Sequence, residues 1–235
     1  KFISEAVFLK AEDLYLLNRL YEAMQVYNEF ISAYHGNPNV DAAIFRVTQI
    51  FHKKGEWVKA LKAVAPLVQK QPEGAVFSQL NFVVGNCNFR LEKWDAAIKY
   101  LDGFVRTYTE NHKRQRNKQV EEPNIDTALM ELAVANLNKK NHEGAGNYLE
   151  NLIKHYPKSH HMPHALSELG RLKYESGDYK SARSALEGFV GLFEKSAQRP
   201  QVEYYLGWTS LSEKKEAEAE QHFSIVVKSS PGNPL

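Results

Sequence analysis

Cysteine is almost absent: Cys87 is the only one in 235 residues, so no disulfide within the chain and no cysteine-based zinc site can form. Long apolar runs are missing too, and none approaches the roughly 18 residues that a membrane span needs. No charge of one sign dominates. Thirty Lys and Arg stand against 28 Asp and Glu, a net +2, short of the basic excess of a domain that binds nucleic acid over its surface. The phosphate-cradling GxxxxGK[ST], a GxGxxG after a strand, GxSxG and HExxH do not occur, which removes the common nucleotide, hydrolase and metalloprotease signatures. Paired carboxylates such as Glu121-Glu122 lie in polar segments, with no apolar pocket to raise a pKa. The reading is a non-enzyme with no cofactor and no metal. No signal peptide is visible, and the chain begins at Lys1 rather than Met, so the expectation is a processed or excised piece.

What is present is repetition. Ala23, Ala60, Ala97, Ala145, Ala182 and Ala219 are spaced by 37, 37, 48, 37 and 37 residues. Four residues after each stand Tyr27, Val64, Leu101, Leu149, Leu186 and Phe223, and seven after stand Phe30, Leu67, Phe104, Leu152, Phe189 and Val226. Offsets of 0, 4 and 7 form one face of a helix. Twelve residues before each alanine is another small residue in most units, among them Gly85, Gly170 and Gly207. Each unit therefore reads as two helices joined by a short turn, with the small residue of the first helix expected to face the alanine of the second. Gly55 and Gly177 share one turn position and suit a left-handed helix end. Ser4, Asp41, Ser78 and Asp126 are expected to cap first helices, and Pro163 and Pro200 to occupy their first turns. Pro38, Pro72, Pro157 and Pro231 stop the second helices. The organisation expected is units one to three over 4–115, a polar insertion within 108–124, and units four to six over 126–235. The insertion is expected to give the two halves some hinge freedom.

The pattern resembles the tetratricopeptide repeat, best carried by Leu169-Gly170, Tyr174, Gly177, Tyr179, Ala182 and Leu186. Leu206-Gly207, Ala219 and Phe223 match in the sixth unit, and Trp57 to Ala60 and Trp94 to Ala97 in the second and third. The first unit departs from the pattern, with Lys10 in the place of the usual Leu. The resemblance implies an all-α fold: a right-handed superhelical solenoid of about six antiparallel helix pairs, here with a 37-residue period rather than the usual 34. The fifth unit, with Tyr156-Pro157, Ser159, Ala165, Leu169-Gly170 and Gly177-Asp178-Tyr179, is also similar in style to repeats of bacterial envelope proteins, of the Tol–Pal coordinator and outer-membrane assembly lipoprotein type. The other units depart from that style. It implies a periplasmic or envelope location, with membrane contact only through a partner or a lipid anchor.

In this family the first helices line a concave face that holds partner peptides or helices. Carried onto this sequence, that face comprises Phe8, Phe45, Phe82, Met130 and Tyr204 in one row and Tyr15, His52, Phe89 and Tyr174 in a second, with Asn86, Arg171 and Trp208 between them. Aromatic and Arg side chains are the usual anchors of interfaces. The bland alternative for each is packing between neighbouring helices. The Lys/Asn/Arg cluster with which some family members grip a chaperone's terminal carboxylate is not assembled, since Asn86 and Arg171 stand in different units. An apolar helix or extended segment is the expected ligand. A regulatory or sensor module attached to an enzyme is the alternative reading.

Two further features are weighed and set aside. The insertion carries Lys113, Arg114, Arg116 and Lys118 without an aromatic among them, which reads as a solvated loop rather than a single-strand-binding surface. His155, His160, His161 and His164 cluster in sequence, but Pro163 places His160 and His161 in a turn, and no metal site is expected. Neither end shows an obvious polar capping helix, so either the native chain is expected to continue or an exposed end to be covered by another subunit.

Overall fold

The computed structural model describes residues 2–70, 75–114 and 124–229. All regular structure among them is helical. The chain divides into two compact units, Lys1–Pro123 and Asn124–Leu235. In the first, α1 (Phe2–Leu16) pairs with α2 (Leu20–Ala33), α3 (Val40–Lys53) with α4 (Trp57–Lys70), and α5 (Ala75–Arg90) with α6 (Trp94–Arg114). In the second, α7 (Ile125–Asn138) pairs with α8 (His142–His155), α9 (Met162–Glu175) with α10 (Tyr179–Leu192), and α11 (Arg199–Ser212) with α12 (Glu216–Ser229). Within each unit the second helix of a pair packs on the first helix of the next. First helices also touch each other, α3 with α5 and α9 with α11.

The periodic residues are the core. All six register alanines are buried, as are Tyr27, Phe30, Val64, Leu67, Leu101, Phe104, Leu149, Leu152, Leu186 and Phe189. The small residues twelve positions earlier have a reason that differs from the expected one. A side chain at Gly170 would run into Leu186, with Cγ at 2.5 Å, one at Gly85 into Leu101 at 2.7 Å, and one at Gly207 into Phe223 at 2.5 Å. The glycine admits the large residue one turn beyond the alanine, not the alanine itself.

The turn inside each pair is made the same way six times. Asn18, Gly55, Glu92, Lys140, Gly177 and Lys214 all have positive φ, between 56° and 82°, and they share one register position. Gly55 and Gly177 are the expected left-handed glycines. The other four are held there by the helices on either side, against the cost that a Cβ imposes in that region. Glu92→Gly and Lys214→Gly are therefore expected to raise stability by about 0.5–1 kcal/mol each, read as a higher denaturant midpoint at unchanged slope.

The residues expected to cap first helices lie instead within them. Asp41 and Asp126 are second residues of α3 and α7, and Ser4 is inside α1. Asp41 accepts from Lys70 of its own pair at 2.5 Å, while the other two tie one pair to the next: Ser159 Oγ donates to Asp126 Oδ2 at 2.6 Å, and Asn37 Nδ2 donates to Ser4 Oγ at 3.2 Å. Such bridges recur 33 or 34 residues apart, as in Arg46 to Glu12, His52 to Asn86, His161 to Thr127 and Gln198 to His164. The offset falls about one helical turn short of the 37-residue repeat, because a side chain meets the neighbouring first helix a turn before its own register. Pro163 and Pro200 sit in the first turns of α9 and α11 as expected. Pro66, inside α4, is a helix-interior proline that the sequence reading passed over.

Candidate partner-binding site

The first row lies against the second helix of its own pair. Phe8 packs on Tyr27 and Phe30, with ring centroids 6.1 and 5.4 Å apart, and Phe82 packs on Phe104 at 5.2 Å. Phe45 and Met130 are buried. Tyr204 also meets Phe223, at 6.2 Å, but remains 38% exposed. The second row closes over the first aromatic residue of the following helix: His52 on Trp57, Phe89 on Trp94 and Tyr174 on Tyr179, at 5.2, 5.6 and 5.8 Å. Tyr15 lies under two cations, Arg46 at 4.7 Å and Lys53 at 4.4 Å.

Polar side chains between these rows are satisfied within the first unit. Arg46 grips Glu12 with two bonds of 2.9 and 2.8 Å, Tyr27 Oη donates to the same carboxylate at 2.5 Å, and Arg46 donates to Gln49 at 3.1 Å. Burial pushes Glu12 up, yet the Arg46 and Tyr27 bonds outweigh it and hold the carboxyl below its ordinary range. Burial, with the Glu12 bond behind it, drives the Tyr27 phenol far up. His52 lies 2.7 Å from Asn86 Oδ1. Burial holds His52 below the usual imidazole range, against the Asn86 contact, which favours the charged form. Asn86 is buried. In this unit the structure turns Phe45, Asn86 and the Glu12–Arg46 pair into internal packing and bridging, and leaves Phe8, Tyr15, His52, Phe82 and Phe89 partly covered.

The second unit gathers a different surface on α9 and α11. Tyr174 stacks on Tyr205 at 5.8 Å, Tyr205 on Tyr204 at 5.5 Å, Tyr204 on Trp208 at 6.2 Å and Trp208 on Phe223 at 5.7 Å. Trp208 and Leu211 are each 39% exposed. Arg171 stands beside these rings, held by Glu168 at 2.8 Å and by Glu175 at 2.7 Å. Burial raises the phenols of both Tyr174 and Tyr205. The result is a connected run of rings edged by one clamped guanidinium and two carboxylates. Tyr205, absent from the sequence-derived rows, completes it. Its register position holds Leu9, Arg46, Val83, Glu131 and Glu168 in the other pairs, so periodicity carried no signal for it.

Lys113 and Arg114 fall in the last turn of α6, and Arg116 and Lys118 lie outside the described residues. His160 and His161 stack on each other with centroids 3.8 Å apart. No group of three or more ligating side chains is placed to hold a metal among the described residues. No helix there is long and apolar enough to cross a membrane.

Four likenesses bear on this architecture. Residues 123–229 match the model of the YfiO family, described as an outer membrane lipoprotein, over a little under half of the chain. MamA from AMB-1 superposes with a TM-score of 0.62 at 12% identity, covering 85% of this chain and 96% of its own. PilW, a type IV pilus biogenesis factor, gives 0.54 at 14% identity over 99% and 96%. NprR, solved in complex with its cognate peptide NprX, gives 0.53 at 13% over 98% of this chain and 67% of its own. No curated protein matches the sequence. The twelve helices of the described residues, in antiparallel pairs with this register, have the tetratricopeptide-repeat type of fold.

Proposed function

We propose that this chain is a non-catalytic scaffold whose second unit holds an apolar helix or extended segment of a partner protein against the α9–α11 aromatic face. The observation that carries the reading is the exposure of Tyr204, Trp208 and Leu211 on a rigid first-helix surface, where large rings lose little freedom on binding. The NprR–NprX complex supports it, as a protein of this fold that holds a peptide. The likeness of residues 123–229 to an outer membrane lipoprotein family supports a place in a bacterial envelope assembly.

A displayed library of random peptides, panned on the purified chain, tests this. Selected peptides are expected to bind the wild type and to lose tenfold or more in affinity on Tyr204→Ala with Trp208→Ala, roughly the effect of removing interface anchors. Far-ultraviolet circular dichroism checks that the variant keeps its helices. Peptides that bind wild type and variant alike would move the site off α11.

A further inference from the structure

The register of the array shows where each pair receives its predecessor. In α9 the receiving seam is Met162, Ala165, Leu169 and Leu172, all buried, and α3 presents Val40, Ala43, Val47 and Ile50 in the same way. In α1 those four positions are Ile3, Ala6, Lys10 and Asp13, all exposed. A helix pair docked on α1 in the interior manner would bury a lysine and an aspartate. The solvent-facing positions at the α1–α2 turn are reversed as well. Leu16, Leu17 and Tyr21 are 65–75% exposed, where α9 and α10 carry Glu175, Ser176 and Lys180. Lys10 and Asp13 thus stand where α3 carries Val47 and Ile50 and α9 carries Leu169 and Leu172.

The exposed face of α1 has its own regularity. Phe2, Leu9 and Leu16 form one row at seven-residue spacing, and Ile3 and Lys10, with Leu17 in the turn just past the helix, follow the adjacent one. Such rows form the seam of two packed helices. The order along α1 is apolar, then Lys10 and Asp13, then apolar, which complements itself when reversed. With two copies of α1 antiparallel about a two-fold axis, Lys10 of each faces Asp13 of the other, and Leu17 of each covers Ala6 of the other. Lys10 and Asp13 are neighbours three apart on α1 and both are exposed, so each can also reach a charge on a second copy, and the nearby Glu22 is paired with Arg19.

We infer that the outward face of α1 is the interface of a two-fold homodimer of this chain. An isologous contact of this kind closes at two copies, and it is independent of the partner site on α9 and α11.

The test is the molar mass of the 235-residue chain by sedimentation equilibrium across the micromolar range. The wild type is expected to be dimeric. Lys10→Asp alone and Asp13→Lys alone each set like charges against each other at two symmetric places, and each should weaken the dimer roughly tenfold or more. The combined reversal, Lys10→Asp with Asp13→Lys, should restore it. Leu17→Glu should abolish it. Both charged side chains are exposed, so far-ultraviolet circular dichroism should show the same helix content across the set. A monomer at every concentration, or a dimer indifferent to these changes, overturns the assignment.

Discussion

Leu186→Ala is expected to lower the stability of the second unit by about 2–5 kcal/mol, and Gly170→Ala by about 1–3 kcal/mol, yet the two together by less than their sum. Leu186 is fully buried, and its branched end occupies the space that a side chain on residue 170 would need. Truncating it removes transfer energy and leaves a cavity beside the glycine. Adding a methyl at residue 170 against the intact leucine forces one helix away from the other. Combined, the new methyl enters the new cavity. Residues in direct contact deviate from additivity by roughly 0.5–3 kcal/mol. Urea unfolding of the four proteins measures the coupling. Additivity within a few tenths of a kcal/mol would mean that the glycine is small for another reason.

Phe30→Ala is expected to destabilise the first unit by about 3–5 kcal/mol, the usual range for emptying a buried phenylalanine site. The side chain is fully buried, with the rings of Phe8 and Tyr34 at 5.4 Å on either side. Phe8 is also held against Tyr27, with ring centroids 6.1 Å apart. Phe30→Leu, which keeps most of the volume, should retain much of the stability. Equal losses from the alanine and leucine substitutions would point to the ring contacts rather than the cavity as the source.

The helix pairs were legible because six alanines and the apolar residues four and seven positions on repeat without error. Periodicity reports which face of a helix is buried. It is silent about which partner fills a given contact, and so Gly170 was matched to Ala182 when Leu186 is the residue it admits. Left-handed turns were visible at Gly55 and Gly177 because glycine advertises that conformation. They were invisible at Asn18, Glu92, Lys140 and Lys214, where the geometry is imposed by the helices and not by the residue. Ser4 and Asp126 have the chemistry of helix caps but bridge neighbouring pairs instead, a role set by a contact 33 residues away. The candidate site was half legible. Tyr174, Tyr204, Trp208 and Arg171 were singled out by carrying the family's concave face onto the register. Phe45, Asn86 and Met130 occupied equivalent positions in sequence but are covered in the fold. Tyr205 depends on one ring lying between two others, which no single-helix pattern encodes.

The identical turn in every pair, with a small-residue crossing beside it, bears on how such a chain changes length over evolution. Each pair carries its own turn and its own crossing, so the gain or loss of one whole pair leaves the internal anatomy of the rest untouched. Only the apolar seam and the few side-chain bridges between adjoining pairs must be rebuilt at the new junction. Chains descended from one ancestor by this route would differ in steps of a helix pair, while first-helix surfaces such as the Tyr204–Trp208 face diverge freely from one copy to the next.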